Sequence, residues 1–321
     1  MKTNKIEKSI FQKKGWVIII AVFCSFLWGS AFPALKITYQ EMNMAGDDYF
    51  SKILIAGIRF TIAGILIWIY AFITMKDKIK IKRKSDYKKL ILLGLIQTTL
   101  NYFFFYTGLS NTTAAKGSII NSLSNFLIII LAHFLIKNDQ LTMKKIYGIV
   151  FGIIGVVVVN FDSNLNSQFL LTGEGFMFFS VFTTVTASFM VKSYSRTIHP
   201  VILSSYQLMI GGVVMLLISF GGSYDTLKVT PLAMGLLFYT AILSALAFTL
   251  WYSLLKYNKP GEITMFRFLI PVTGSLLSAA FLGEKITLNV TISLVAIVIG
   301  IILVNYEPRS GQEKKMIDSQ P

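Results

Sequence analysis

Apolar runs long enough to cross a membrane recur about ten times in this sequence, and no other feature limits the fold as strongly. A helix needs about 20 mostly apolar residues to span roughly 30 Å of hydrocarbon. In lipid only helices and closed barrels satisfy their own backbone hydrogen bonds, and barrel strands would alternate apolar with polar residues, which these runs do not. Only 14% of the residues are charged, against about 25% in soluble domains. The sequence therefore predicts an all-α polytopic membrane protein in a lipid bilayer.

We expect ten transmembrane helices, near residues 16–37, 53–75, 88–109, 117–136, 146–160, 171–191, 201–220, 231–255, 262–282 and 287–305. The predicted organisation is a cytoplasmic N-tail (1–15), a first five-helix repeat (16–160), a second five-helix repeat (161–306) and a cytoplasmic C-tail (307–321). A basic start before an apolar run is also typical of a signal peptide. Removal of the first run would, however, spoil both the repeat and the charge alternation described next.

Two segments of the chain match each other without a gap, which indicates an internal repeat. Residues 125–160 align with residues 270–305, so that Asp139 aligns with Glu284 and Gly155 with Gly300. The hydropathy profile and the position of the acidic break match better than the individual letters do. The pattern predicts a repeated helical hairpin in the two halves of the chain.

Basic residues are concentrated in every second loop. Lys and Arg mark cytoplasmic loops, and the two alternating sets of loops and tails hold 23 and 4 of them. Both termini are therefore predicted to be cytoplasmic, in an inner or plasma membrane. Because each half has an odd number of spans, the second half must cross the membrane inverted, an arrangement typical of secondary transporters that bind near the midplane. The net charge of +15 does not indicate a nucleic-acid partner, because the basic residues lie in short loops.

The sequence offers little for a metal or a cofactor. Cys24 is the only cysteine, which excludes a disulfide framework and a cysteine-based metal site. Only two histidines occur, His133 and His199. There is no H-E-x-x-H, Walker A or G-x-S-x-G pattern. We therefore expect neither an enzyme nor a cofactor.

Arg267, inside span 9, is the first candidate for substrate binding, because charges within spans are costly and are functional candidates by default. Pro271, four residues on, leaves the carbonyl of Arg267 without its helical partner and favours a kink. On a regular α-helix, Arg267, Pro271 and Ser275 would share one face with Gly274 and Ser278. In the first half, Asn121 and Asn125 form a corresponding polar face on span 4. Arg267 would bind a carboxylate or a phosphate; the alternative is an arginine that reaches to lipid headgroups.

Two further cations lie in spans near the predicted outer side. Arg59 in span 2 corresponds to Gln207 in the second half, so the symmetry of the repeat does not require a charge at this position in both halves. The alternative to a substrate contact is a structural arginine that pairs with Asp47, Asp48 or a carbonyl. Lys36 follows Pro33 at the end of span 1, where the proline permits a bend. Gating or substrate contact and interfacial anchoring both remain open for Lys36.

Spans 3 and 8 correspond at a constant offset and supply aromatic candidates. Tyr106 aligns with Tyr252, Phe105 with Trp251 and Asn101 with Ala247. Asn101, Tyr106, Trp251 and Tyr252 could line an amphipathic cavity with their polar atoms directed at a ligand. The alternative is that they face lipid, as most aromatic residues in such a chain do. In span 5, Gly148 and Gly152 form a GxxxG pattern, which permits close packing inside the chain or across a homodimer.

Several short motifs resemble those of the drug/metabolite transporter superfamily, EamA branch. They are Trp28 to Phe32 with Lys36 following, Arg59-Phe60 in span 2, and Phe281 to Glu284 after span 9. The chain departs from the family pattern at Asn125, where proline is common, and at Asn138-Asp139, where Gly-Glu is common. The resemblance covers residues 15–306. It implies an exporter or permease for small metabolites, often amino acids or drug-like compounds, without ATP hydrolysis.

The predicted function is secondary transport of a small metabolite, an amino acid or a related amphipathic compound, by alternating access between the two halves. The sequence shows no acidic residue deep in a span, so proton antiport, exchange and facilitated diffusion all remain open. The alternatives are a nucleotide-sugar or phosphate permease of the same fold, which would need more cationic residues at the cavity than Arg267, and a non-transporting membrane receptor or scaffold.

Overall fold

The structure is a computed structural model that describes residues 9–45, 48–75, 81, 83–112, 114–159, 169–283, 286 and 288–305, and the regular secondary structure among these residues is all helical. Several sequence-based expectations concern residues outside these ranges. They are the outermost tails, Asp47, most of the basic loop 76–82 and the polar break at Glu284-Lys285.

Ten helices follow a short 3-10 turn at Ile10–Gln12. They are α1 (Lys14–Glu41), α2 (Tyr49–Met75), α3 (Lys84–Ser110), α4 (Ala114–Leu135), α5 (Met143–Val159), α6 (Leu171–Tyr194), α7 (Pro200–Ser219), α8 (Pro231–Tyr257), α9 (Pro260–Leu282) and α10 (Leu288–Asn305). Eight of them, all except α5 and α10, are long and apolar enough to cross a membrane. The all-helical membrane fold is thus confirmed; the count of ten spans stays a prediction.

Prolines begin three of the second-half helices. Pro200, Pro231 and Pro260 occupy the first turns of α7, α8 and α9. Proline fits there because its missing N–H would have no partner inside the helix and its φ angle is already helical. Thr230 adds a cap to α8, since its hydroxyl oxygen accepts a hydrogen bond of 3.1 Å from the N–H of Ala233.

The turns after α4 and α9 share one unusual backbone conformation. Gly283, directly after α9, has a φ angle of 69°, and Asn138, after α4, has a φ angle of 66°. Glycine and asparagine are the residues that most readily end a helix in this left-handed region. Asn138 therefore differs from the glycine that is common in the family, but it adopts the same left-handed backbone conformation as Gly283.

Helix α2 packs extensively against α7, and α5 packs extensively against α10. Both rely on glycines. A Cβ atom at Gly64 of α2 would lie 2.5 Å from the backbone nitrogen of Met209 in α7, and one at Gly148 of α5 would lie 3.2 Å from the carbonyl oxygen of Gly300 in α10. Gly152 of α5 packs on Phe268 of α9. The GxxxG face of α5 is thus covered by the chain's own helices and is not a free surface for a homodimer. Formation of a homodimer through another surface stays a prediction.

The remaining helices enclose the centre. Helix α1 packs against α8 and α9, and α6 packs against α3 and α4. Three of these helices are irregular near the middle or at one end: α3 contains a π-helical segment at Gly94–Leu100, α6 begins with one at Leu171–Gly175, and α9 contains a 3-10 segment at Thr264–Phe268. Such irregular turns change which side chains face the interior, and they often mark functional sites.

Candidate functional site

A cavity of about 470 Å³ lies between α1, α2, α3, α4, α6, α8 and α9. Its volume falls in the range of small-molecule sites, roughly 300–1,000 Å³. The wall is mainly apolar and aromatic. The aromatic residues on it are Trp28, Phe32, Tyr39, Tyr102, Phe105, Tyr106, Phe248, Trp251 and Tyr252.

Three basic residues on the cavity wall differ in position from the other basic residues of the chain. All but three of the 30 Lys and Arg residues lie in the predicted loops and tails or, as Lys88 and Lys89 do, at the first positions of a span. The exceptions are Lys36, Arg59 and Arg267, and all three line the cavity. Because the loop cations are explained by topology, these three call for another explanation, and their shared position points to one site.

Arg267 lies in the 3-10 segment of α9, beside two tryptophans. Its guanidinium carbon is 5.8 Å from the ring centroid of Trp28 and 5.9 Å from that of Trp251, within the reach of cation–π attraction. Its Nε is buried and has no hydrogen-bond partner among the described residues. No described carboxylate forms an ion pair with it. Arg267 therefore lines the cavity and has an unused Nε donor.

The polar face expected around Arg267 is only partly present. Ser278 lines the cavity with Arg267, but Pro271 and Ser275 do not. The Ser275 hydroxyl donates instead to the carbonyl of Pro271, at 3.0 Å. The α-helical spacing does not hold across Arg267, because the 3-10 segment there has about three residues per turn.

The two asparagines of α4 occupy different environments. Asn121 lines the cavity. Asn125 does not; it is buried, and its side-chain oxygen has no hydrogen-bond partner among the described residues. Only Asn121 is therefore placed to meet a ligand in this cavity.

Arg59 is almost fully buried, with 4% of its surface exposed, and lines the cavity from α2. Its guanidinium carbon lies 4.2 Å from the ring centroid of Phe60 and 5.8 Å from that of Tyr102. Its Nε lacks a hydrogen-bond partner among the described residues. The alternative of a pair with Asp48 does not occur, since the Asp48 carboxylate accepts instead from the backbone of Ser51.

The end of α1 contributes differently from what its proline suggested. Lys36 lines the cavity, whereas Pro33 is buried within α1 and does not. Helix α1 continues past Pro33 to Glu41. A role of Lys36 at the cavity therefore remains a prediction, and the proline acts at most through the shape of the helix.

Asn101, Tyr106, Trp251 and Tyr252 all line the cavity, as predicted for them, but two have their polar groups engaged. The Asn101 amide donates across to α6, at 2.7 Å to the hydroxyl of Thr184. The Tyr252 hydroxyl donates to Gln207 at 2.9 Å. These two residues hold helices together at least as much as they offer donors to a ligand.

Sequence reasoning missed Trp28, Tyr102 and Phe248 as cavity residues. Trp28 and Phe248 rings meet edge to face at 5.7 Å, and Phe248 is linked to Tyr102 through Phe60. A signal was present for two of them, because the offset that aligns Tyr106 with Tyr252 also aligns Tyr102 with Phe248.

Comparison with known proteins agrees with the geometry. The chain is 26% identical to an uncharacterized transporter of Archaeoglobus fulgidus over 91% of this chain and 98% of the relative. It is also 26% identical to the uncharacterized transporter YvbV of Bacillus subtilis over 91% and 92% of the two chains. A WAT1-related chloroplastic protein of Arabidopsis thaliana is 24% identical, over 91% of this chain and 69% of the relative.

A crystal structure with 15% sequence identity has the same fold, with a TM-score of 0.73 over 88% of this chain and 95% of the other. The model of the EamA-like transporter family matches residues 15–161 and again residues 171–306. These matches cover nearly all of the helical part of the chain. The protein is therefore a membrane protein that belongs to the EamA-like transporter family.

Proposed function

We propose that this protein is a secondary transporter of small carboxylate-bearing amphipathic metabolites, amino acids or related compounds. The observation that carries the proposal is Arg267, whose guanidinium borders the central cavity beside Trp28 and Trp251 with a buried and unused Nε donor. An unpaired cation in an apolar wall gains most from an anionic ligand, because charge-assisted hydrogen bonds are about twice as strong as neutral ones.

The aromatic wall suits the rest of such a ligand. Trp28, Trp251 and Phe248 offer faces for an apolar or aromatic side chain, and ring faces also attract an ammonium group. An amino acid combines these elements in one small molecule. The volume of about 470 Å³ leaves room for it.

Alternating access between inverted halves is part of the proposal, and the cavity wall supports it. Residues of α3 and α8 that are 146 positions apart occur together on the wall: Gln97 with Leu243, Tyr102 with Phe248, Phe105 with Trp251, Tyr106 with Tyr252, and Leu109 with Leu255. The helix contacts show the same relation, since α1 packs on α8 and α9 as α6 packs on α3 and α4. Two equivalent halves around one site can exchange conformations.

We place both termini in the cytoplasm and the ten helices in the cell membrane. The alternation of basic loops supports this orientation. The left-handed residues Asn138 and Gly283 support ten helices in two halves, because both lie in the turns that follow α4 and α9.

The test is flux into proteoliposomes of the purified chain. The panel contains labelled neutral, aromatic and acidic amino acids, each with and without a pH gradient. Arg267→Gln should lower the flux of the carried compound at least about tenfold, because a charged hydrogen-bond partner is lost. Arg196→Gln, in the exposed loop between α6 and α7, is the matched control. Saturable flux that does not depend on Arg267 would contradict the proposed role of this residue.

A phosphate-type permease is a second candidate, because Arg59 and Lys36 join Arg267 on the wall. A sugar phosphate and a nucleotide sugar belong in the same panel. Flux of these compounds without flux of amino acids would select this candidate. Binding of a ligand without flux of any compound would instead favour a receptor.

A further inference from the structure

Arg59 and Tyr39 are two further polar residues on the cavity wall. Arg59 is 4% exposed, and its Nε has no hydrogen-bond partner among the described residues. The hydroxyl of Tyr39 is also buried, and it lies beside the side chain of Tyr106. Both residues line the cavity, and they lie within electrostatic reach of each other. Two buried polar groups thus border the same end of the cavity.

The corresponding position in the other half shows that this unused capacity is not a general feature of the fold. Gln207 takes the place of Arg59 there, and it is fully buried. Its side-chain oxygen accepts from the Tyr252 hydroxyl at 2.9 Å, and its nitrogen donates to the Thr98 hydroxyl. Both ends of the Gln207 amide are therefore satisfied inside the protein. Arg59 carries a charge where Gln207 is neutral, and one of its donors is left over.

A series of contacting aromatic rings connects Arg59 with Arg267. The Phe60 ring, under Arg59, meets Phe248 at 6.4 Å, and Phe248 meets Trp28, beside Arg267, at 5.7 Å. The Tyr102 ring centroid also lies 5.8 Å from the guanidinium carbon of Arg59. Arg59 thus contacts the first ring of this series and Arg267 the last, and no described carboxylate pairs with either group.

We propose that Arg59 and Tyr39 form a second anion-binding subsite, so that the ligand is a small dianion whose two acidic groups are separated by a short apolar body. Arg267 binds one acidic group, which rests on the function proposed above, and Arg59 with Tyr39 binds the other. The chemical class is that of α,ω-dicarboxylates and acidic amino acids. A single compact anion would leave one of the two guanidinium groups without a partner in an apolar wall, which is costly.

The experiment measures binding to the purified full-length chain by calorimetry. The ligands are α,ω-dicarboxylates from succinate to sebacate and the mono-methyl ester of each. The ester keeps one acidic group and nearly the same shape, so the pair isolates the second charge. We expect an optimum spacer length at which the dicarboxylate binds at least about tenfold more tightly than its ester, because a desolvated charged contact is lost in the ester.

Two variants assign that difference to the second subsite. In Arg59→Gln the dicarboxylate and its ester should bind equally, while ester binding remains. Tyr39→Phe removes only a hydroxyl and keeps the ring, so it should fold normally and reduce the difference several-fold. Arg267→Gln should weaken the ester as well.

The outcomes separate this inference from the proposed function. Equal binding of diacid and ester to the unmodified protein, with ester binding still sensitive to Arg267→Gln, overturns the second subsite and leaves the proposed function intact. Equal weakening of both ligands in Arg59→Gln and in Tyr39→Phe also overturns it. Folded protein that binds no member of the series overturns both.

Discussion

The carboxylate of Asp139 accepts a hydrogen bond of 2.9 Å from the backbone N–H of Gly261, which lies 122 positions later in the chain. Asp139 follows α4, and Gly261 is in the first turn of α9. The same carboxylate pairs with Lys145 at the start of α5, whose ammonium also donates to the carbonyl of Gln140 at 2.9 Å. One buried acid thus ties the first half of the chain to the second on the predicted cytoplasmic side.

Asp139→Asn should destabilise the protein strongly. Asp139 and Lys145 are only 1% and 5% exposed, and removal of one partner leaves a buried charge without compensation, at a cost of about 3–5 kcal/mol. Thermal unfolding of the detergent-solubilised protein measures the effect. Glu262→Gln is the matched control, because Glu262 pairs with Lys259 at a half-exposed position, where such pairs contribute about 0–1 kcal/mol. Similar melting temperatures for the two variants would contradict the prediction.

Gly64→Ala should weaken the contact between α2 and α7. The added Cβ atom would lie 2.5 Å from the Met209 nitrogen, and a backbone atom cannot give way as a flexible side chain can. We expect a loss of about 1–3 kcal/mol, as is usual when a packed interface is overfilled, seen as a lower melting temperature. Gly235→Ala in α8 is the control, since a Cβ atom there meets nothing within 4 Å. It should be neutral or slightly stabilising, because alanine favours a helix over glycine.

Asn101→Ala should affect stability more than ligand affinity. Its amide donates to α6 at 2.7 Å to the Thr184 hydroxyl and 2.9 Å to the Ser180 carbonyl, so its loss removes buried hydrogen bonds between two helices at a cost of about 1–3 kcal/mol. The melting temperature should fall while the KM for flux, corrected for active protein, changes less than about threefold. A large rise in KM without loss of stability would assign Asn101 to the ligand instead.

Ligand binding should change the intrinsic tryptophan fluorescence. Of the four tryptophans, Trp28 and Trp251 line the cavity, whereas Trp16 and Trp68 are 51% and 37% exposed on the outside of the structure. The ligand-dependent signal should disappear in Trp28→Phe/Trp251→Phe and persist in Trp16→Phe/Trp68→Phe. The reverse result would place the ligand away from this cavity.

The sequence predicted the membrane class and the residues of α3 and α8 well, because hydropathy and repeat offset depend on position along the chain alone. It predicted the face of α9 poorly. Pro271 and Ser275 leave the cavity because the 3-10 segment at Thr264–Phe268 changes the angle between successive side chains, and α-helical spacing cannot anticipate that. The bond from Gly261 to Asp139 was equally out of reach, since it joins residues that only the folded chain brings together.

The predicted orientation can be tested with single introduced cysteines, because Cys24 is the only natural cysteine in the sequence. Cys24 is fully buried in α1 and should not react with a bulky membrane-impermeant thiol reagent, so single new cysteines report their own side. Lys137→Cys, in the exposed turn after α4, should react only from the cytoplasmic side, and Ser223→Cys, in the exposed loop after α7, only from outside. The basic residues near Lys137 place that turn in the cytoplasm. Labelling of intact cells and of inverted vesicles provides the two readings. Labelling of both positions from the same side would contradict inverted halves, because α4 and α7 would then end on one face of the membrane.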